Sequence, residues 1–230
     1  MGTTDYAGKS AYRGEIAARY ESDRKTEPLW VEEQNFVGRW AATLPEGATI
    51  LDLPAGTGRF VELLLERKLR VMACDISDDM LAEIRKRAAV NDPSLTIAKA
   101  DAERLAMADK SVDFVLCWRL FHLLPIDAIE RVLGEFRRVC RKEIVVQVLP
   151  VRSDDRVGGV LRAWRKLLRP LRRWGRPSKR TPWAHIPSRV HVERDLLAAF
   201  SRARVSVGKV ETMAKYDGLP VRVYTLVPEN

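Results

Sequence analysis

Cysteine, histidine and long apolar runs are all scarce in this chain of 230 residues. Its three cysteines, Cys74, Cys117 and Cys140, are scattered, which argues against a disulfide framework or a zinc knuckle and favours buried thiols. Its three histidines lie far apart without a convincing carboxylate partner, so no metal site is predicted. No apolar run reaches the roughly 18 residues that span a membrane, and residues 1–10 are too polar for a signal peptide. We therefore expect a cytoplasmic protein.

Positive charge is concentrated in one part of the chain. The sequence has 40 basic and 31 acidic residues, a net charge of +9. Residues 156–191, called the basic segment below, hold 11 of the basic residues and no acidic one. Without them, 29 basic and 31 acidic residues remain, a net charge of −2. The excess of positive charge therefore needs a local explanation.

Apolar residues alternate along the chain between helical and strand periods. Residues 11–42 have a helical pattern, and Pro28 is expected to start a second helix. Strands are predicted at residues 49–53, 70–75, 95–99, 111–118, 143–149, 205–211 and 222–227. Helices are predicted at residues 60–68, 78–89, 127–141 and 192–200. Strands rich in Val, Ile and Leu that alternate with helices predict a doubly wound α/β fold, with a mostly parallel seven-stranded sheet and an antiparallel C-terminal strand pair.

A glycine turn follows the first predicted strand, and acidic residues end it and the next two strands. Residues 50–58 read Ile-Leu-Asp-Leu-Pro-Ala-Gly-Thr-Gly, so Asp52 precedes a turn with Gly56 and Gly58. Asp75 ends the second strand and Asp101 follows the third. Carboxyl ends of parallel strands meet at one crevice, where glycines let the backbone approach a nucleotide-like ligand and an acid can accept hydrogen bonds from a ribose.

These motifs resemble those of class I S-adenosylmethionine-dependent methyltransferases, in particular their small-molecule, methyltransferase-11-like branch. The resemblance covers roughly residues 45–149 and implies a Rossmann-like fold with S-adenosyl-L-methionine as cofactor. Pro54 departs from the family's first motif, because it stands where the first glycine is expected and lacks an N–H donor. A nicotinamide cofactor is disfavoured, because Val61 occupies the third glycine position of the dinucleotide pattern.

The resemblance also assigns candidate site residues. Cofactor contacts are expected at Asp52, Ala55, Gly56, Gly58, Asp75, Ile76, Asp101, Ala102 and Trp118. His122 is a candidate base, with a structural histidine as the alternative. Acceptor contacts are expected at Tyr20, Arg119 and His185.

The basic segment leaves three interpretations open. From residue 157 to 174 apolar residues recur at helical spacing, with Trp164 and Trp174 opposite the arginines. This basic amphipathic pattern is typical of a helix packed on the core with a solvated face. It is also typical of a helix on an anionic membrane surface, or of one that binds an anionic acceptor such as a phosphorylated molecule or nucleic acid.

We expect a single methyltransferase domain over residues 1–230. Its parts are an N-terminal helical cap at 1–43, a cofactor-binding half at 44–150, a basic insertion at 151–191, and a C-terminal helix and strand pair at 192–230. The expected acceptor is a small or lipid-linked molecule, anionic ones included, and the protein could lie at the inner face of a membrane. The alternatives are an RNA or protein methyltransferase, and a non-catalytic cofactor-binding module that associates through its basic helix.

Overall fold

The computed structural model describes residues 11–25, 27, 29–149, 151–152, 189–216 and 218–229. The expected basic helix at 157–174 and His185 lie outside the described residues. Helices of the described part are α1 (Glu15–Arg24), α2 (Leu29–Ala41), α3 (Val61–Glu66), α4 (Asp78–Arg85), α5 (Ile126–Val139) and α6 (Glu193–Arg202). Its strands are β1 (Thr49–Asp52), β2 (Arg70–Asp75), β3 (Leu95–Lys99), β4 (Val112–Cys117), β5 (Cys140–Val148), β6 (Val151–Arg152), β7 (His191–Val192), β8 (Val205–Tyr216) and β9 (Leu219–Pro228).

The central sheet confirms the predicted fold class. In the described part of the chain it has seven strands in the order β3-β2-β1-β4-β5-β9-β8. The first five strands are parallel, whereas β9 pairs antiparallel with both β5 and β8. From β1 the chain proceeds to β2 on one side, while β4 pairs with β1 on the other. This change of direction opens a crevice beyond the carboxyl ends of these strands, the usual ligand position in such sheets.

Both faces of the central strands β1, β2, β4 and β5 are largely buried, which explains the nearly continuous apolar runs in these strands. Along β4, Phe114 and Leu116 pack in one layer of the core, and Val115 and Cys117 pack in the other. Helices α2, α3 and α4 cover the first layer, and α5 and α6 cover the second. All three cysteines are free and buried, as expected from their apolar surroundings.

Several element boundaries differ from those predicted. The helix expected at 78–89 ends at Arg85 and is followed by a 3₁₀ turn, Ala88–Asn91. The helix expected at 127–141 ends at Val139, because Cys140 already pairs with Val112 as the first residue of β5. The C-terminal hairpin is longer than predicted, since β8 pairs with β9 up to Tyr216–Leu219.

Residues 11–41 pack over the sheet as two helices. Residues Leu29, Glu33, Phe36 and Val37 form the buried face of α2. Strands β6 and β7, which precede and follow residues 153–188 in the sequence, pair in parallel, and Arg189 N donates to His122 O at 2.7 Å. Within the described residues, no helix combines the length and the apolar character needed to cross a bilayer.

Candidate active site

The glycine turn forms the floor of the crevice beyond β1. Gly56 and Gly58 have φ angles of +56° and +78°, which L side chains rarely adopt. A Cβ on Gly58 would also come within 3.0 Å of Ile84 Cγ1, whereas one on Gly56 would meet nothing within 4 Å. Glycine is therefore needed at position 56 for backbone conformation, and at position 58 for both conformation and packing against α4.

Asp75, the last residue of β2, is the acid that the structure brings to the cavity wall. Its Oδ2 accepts a hydrogen bond from Gly56 N and its Oδ1 accepts one from Ser77 N, both at 2.9 Å. Burial raises the pKa of this carboxyl, while backbone N–H groups of Ser77, Gly56 and Ile76 act in the opposite direction. Each oxygen keeps a second lone pair, so the carboxylate can also accept hydrogen bonds from a ligand.

Asp52 is completely buried at the end of β1 and is not among the residues that line the cavity. Neither carboxylate oxygen has a hydrogen-bond partner in the described part of the chain. Burial, and in second place the nearby Asp75, raises the pKa of this carboxyl well above its usual range. The structure thus places two acids close together, one turned to the cavity and one behind it.

Asp101 lies just after β3 and does not line the cavity itself. Its Oδ1 accepts a hydrogen bond from Glu103 N at 3.0 Å, and its neighbours Ala100 and Ala102 do line the cavity. Ala100 N donates to Asp75 O at 3.0 Å, which ties the end of β3 to that of β2. The predicted strand-end acids therefore converge, but only Asp75 reaches the cavity directly.

The crevice is a mainly apolar cavity with about 920 Å³ of space free of atoms, its open mouth included. Eight of the predicted site residues line it: Tyr20, Ala55, Gly56, Asp75, Ile76, Ala102, Trp118 and Arg119. Asp52, Gly58, Asp101 and His122 do not line it, and His185 lies outside the described residues.

Aromatic side chains form the wall of the cavity near the end of β4. Trp118 packs against Phe36 and Phe60, with ring centroids 5.6 and 5.8 Å away. Its indole Nε1 has no hydrogen-bond partner in the described part of the chain. Trp30 and Tyr20 add two further rings to the lining. This wall suits a flat, apolar group.

His122 lies in the 3₁₀ turn Phe121–Leu123 after β4. Burial, with smaller effects of Arg24 and His191, lowers the pKa of its imidazole to about 3. The ring is therefore neutral at physiological pH, and a base with so low a pKa accepts protons weakly. The role of His122 as a base stays a prediction, and its position outside the cavity lining favours the structural alternative.

A buried ionic network, which the sequence analysis missed, connects α2 to the cavity wall. Glu33 is fully buried and accepts hydrogen bonds from Arg59 Nη1 at 2.5 Å, Arg119 Nε at 2.8 Å and Gln147 Nε2 at 2.9 Å. The Arg59 guanidinium also donates to Trp30 O and lies 3.6 Å from the centroid of the Trp30 ring. Glu33 lies on the same face of α2 as Leu29, Phe36 and Val37. A charged residue on an otherwise apolar helix face was the sequence signal that could have indicated a buried ion pair here.

A second acid extends this network toward α1. Glu27 Oε2 accepts hydrogen bonds from Arg24 Nη2 at 2.8 Å and from Arg119 Nη2 at 3.2 Å. Arg24 Nη1 donates to the hydroxyl of Tyr20 at 3.2 Å. Burial raises the pKa of Glu27, although Arg24 opposes the shift. The cavity therefore has guanidinium groups on one side and Asp75 on the other.

Helix α1 closes the cavity near the glycine turn. Arg87 donates to Thr57 O at 2.6 Å and to Glu21 Oε2, and Thr57 Oγ1 donates to the same Glu21 oxygen at 3.3 Å. Just before α1, Gly14 N donates to Asp79 Oδ2 at 2.7 Å. The N-terminal helix is thus held over the turn by side chains of the cofactor-binding half predicted from the sequence.

The described residues include no group of three His, Cys, Asp or Glu side chains arranged to hold a metal ion. The site consists of a glycine turn, a hydrogen-bonded acid, an aromatic wall and a set of guanidinium groups. These parts can hold a nucleoside through its sugar hydroxyls and a second molecule against the aromatic wall.

Part of the chain matches a known family of protein domains. Residues 50–143 match a family model described as a methyltransferase domain. The demethylmenaquinone methyltransferase of Thermobifida fusca is 34% identical over 119 residues, 49% of this chain and 50% of that protein. The malonyl-(acyl-carrier protein) O-methyltransferase of Pectobacterium atrosepticum is 30% identical over 131 residues, 56% of this chain and 49% of that protein. The chain spans about half the length of these curated relatives.

Solved structures match over nearly the whole chain. The magnesium protoporphyrin IX methyltransferase of Synechocystis PCC 6803, crystallised with S-adenosylhomocysteine, has a TM-score of 0.69 at 15% identity, covering 96% of this chain and 98% of that one. A methyltransferase from Aquifex aeolicus has a TM-score of 0.61 at 18% identity, covering 91% of this chain and 98% of that one. At these identities the matches concern the fold, and they agree with the strand order described above.

Proposed function

We propose that the chain, whose residues 50–143 match a methyltransferase domain, transfers a methyl group from S-adenosylmethionine to a small-molecule acceptor. The observation that carries the proposal is Asp75, a buried acid at the wall of an apolar cavity that is held by two backbone N–H groups. A carboxylate fixed in this way is ready to accept both hydroxyls of a ribose, without a change of its own rotamer.

The other parts of the cavity fit the same cofactor. Ala100, Ala102 and Met80 provide an apolar surface for the adenine beside Asp75. The turn at Ala55 and Gly56 brings backbone close to the opposite, aminoacyl end. Asp52, whose carboxyl oxygens have no hydrogen-bond partner among the described residues, lies behind this turn and provides an acid near the position of the cofactor's ammonium group.

The cofactor supplies a methyl group that is already activated on a sulfonium, so the chain's main tasks are orientation and exclusion of water. Trp118 and Phe60 cover the cavity, and α1 is held over the glycine turn by Glu21 and Arg87. The two curated relatives are named for demethylmenaquinone and for malonyl-(acyl-carrier protein), and these names support a small or carrier-bound acceptor.

Calorimetric titration with S-adenosylmethionine and S-adenosylhomocysteine tests this proposal. We expect both to bind, and Asp75→Ala to weaken the binding about tenfold or more, because two charge-assisted hydrogen bonds to the ribose are lost. Asp78→Ala is the matched control, since Asp78 is an exposed acid that begins the next helix. Unchanged affinity of Asp75→Ala would show that the ribose does not bind at this acid, and no binding of either compound would refute the function.

The basic segment supports an extension of the proposal to lipid-linked acceptors at an anionic membrane. Its sequence combines 11 basic residues with tryptophan and leucine, and its flanking strands, β6 and β7, pair with each other. Co-sedimentation should therefore occur with vesicles that contain phosphatidylserine, and should weaken at high salt. Equal co-sedimentation with uncharged phosphatidylcholine vesicles, or none with either, would contradict this extension while leaving the cofactor site untouched.

A further inference from the structure

Arg119 holds an unusual position in the cavity wall. It follows β4 with a φ angle of +57°, a left-handed conformation that non-glycine residues adopt rarely and that often marks functional sites. Only 14% of its side chain is exposed, and that side chain lines the cavity. The chain thus holds a strained backbone at the point where this guanidinium enters the site.

The guanidinium groups on this side of the cavity outnumber their acids. Arg24, Arg59 and Arg119 share two carboxylates, Glu27 and Glu33. Asp75, the other acid in the lining, accepts hydrogen bonds from the backbone N–H groups of Gly56 and Ser77 instead. One guanidinium on this side of the cavity is therefore not matched by an acid of the same side, and a partly buried charge of this kind favours an anionic partner.

Arg119, unlike Arg59, has a guanidinium nitrogen that donates no hydrogen bond among the described residues. All three guanidinium nitrogens of Arg59 are engaged, by Glu33, Gln34 and Trp30 O. Arg119 uses Nε and Nη2 for Glu33 and Glu27, whereas its Nη1 donates no hydrogen bond within the part of the chain that the structure describes. Two donors on that edge of the fork can therefore serve a ligand.

The surroundings of Arg119 indicate which kind of molecule carries the anion. Tyr20, Trp30, Phe60 and Trp118 line the same cavity, so a flat apolar body can pack beside the charge. We propose that Arg119 binds a carboxylate of a flat, largely apolar acceptor and so determines acceptor specificity. This inference rests on the proposed function, because it takes the rest of the cavity to be filled by the cofactor. The planar fork of arginine matches a carboxylate better than lysine would.

The experiment uses 2-naphthoate as probe and 2-naphthamide as its uncharged match. Each is titrated by calorimetry into the protein saturated with S-adenosylhomocysteine, with the unsubstituted chain, Arg119→Gln and Arg119→Lys. We expect the unsubstituted chain to bind the carboxylate roughly tenfold more tightly than the amide, a ratio typical of one charge-assisted hydrogen-bonded pair. The preference should fall to about one in Arg119→Gln and be partly restored in Arg119→Lys.

Arg119 could instead bind the carboxylate of the cofactor itself. A second titration distinguishes this alternative from binding of the acceptor's carboxylate. S-adenosylhomocysteine carries that carboxylate and methylthioadenosine does not. We expect Arg119→Gln to bind both compounds as the unsubstituted chain does. Selective loss of S-adenosylhomocysteine affinity would assign Arg119 to the cofactor and overturn the inference.

The other possible results of these titrations also test the inference about Arg119. Equal binding of naphthoate and naphthamide, a preference that survives in Arg119→Gln, or no binding of either probe would contradict carboxylate recognition by Arg119. Thermal melting of each variant shows whether it folds. If Arg119→Gln does not fold, Arg119→Lys, which keeps the positive charge near Glu33, is compared with the unsubstituted chain instead. Failure of S-adenosylhomocysteine to bind the unsubstituted chain would refute the proposed function instead.

Discussion

Asp52 shows at the scale of one residue how the site is prepared for a ligand. It is fully buried, and neither carboxylate oxygen has a hydrogen-bond partner among the described residues. An ionised carboxylate without partners destabilises the folded protein, and burial accordingly raises its pKa. Such a group is understandable where a bound cation would provide the missing partner, as the cofactor's ammonium group would under the proposed function.

The substitution Asp52→Asn should therefore stabilise the ligand-free protein at neutral pH by about 1 kcal/mol or more, because it removes a buried charge. This gain in stability should grow as the pH rises. Since the folded pKa is raised above the unfolded value of about 3.9, the natural chain loses stability as the pH rises from there toward the folded pKa. The advantage of Asn should therefore vanish below about pH 4.

Urea unfolding at a series of pH values measures this difference, with Asp195→Asn as a control at a half-exposed acid of α6. A stability difference for Asp52→Asn that does not change with pH would show that the ionisation of Asp52 is not what destabilises the fold.

At the scale of elements, Glu33 holds α2 against two different parts of the site. One carboxylate contacts Arg59 after the glycine turn and Arg119 after β4, and it also accepts from Gln147 of β5. Because Glu33 is fully buried and Arg59 and Arg119 are largely so, removal of the acid leaves two guanidinium groups short of a partner in a poorly solvated place.

We expect Glu33→Gln to destabilise the protein by about 3 kcal/mol or more, the range seen when one partner of a buried ion pair is removed. Glu32→Gln, a change at the exposed neighbour on the same helix, should alter stability by less than about 0.5 kcal/mol. Urea denaturation of both variants provides the measurement. Similar midpoints for the two would mean that α2 is held by its apolar face alone.

The strands were largely predictable from the sequence, whereas this network was not. The boundaries 70–75 and 95–99 agree with β2 and β3, because apolar runs between turn residues define buried strands locally. Gly56, Gly58 and Asp75 were predictable for the same reason, since each belongs to a short motif at a strand end. The contact of Glu33 with Arg59 joins residues 26 positions apart and depends on how α2 packs over the turn. No local pattern contains that information.

At the scale of the whole molecule, the chain separates the two halves of its proposed reaction. Under the proposed function, the cofactor would bind at the carboxyl ends of β1 to β3, with Asp75 at the cavity. The acceptor would bind beside the aromatic wall, Arg119 and the N-terminal helices, which line the rest of the cavity. Arg189 and His191, at the C-terminal end of the basic segment, hydrogen-bond to His122 O and Phe121 O in the turn after β4.

The transfer of labelled methyl groups from S-adenosylmethionine into a cell extract, fractionated into small molecules, lipids, RNA and protein, tests the central claim most directly. We predict that label enters the small-molecule or lipid fraction, and that Asp75→Ala reduces the initial rate about tenfold or more at limiting cofactor. No labelling in any fraction, or equal labelling by Asp75→Ala, would contradict the account. Label confined to RNA or protein would contradict the proposed class of acceptor.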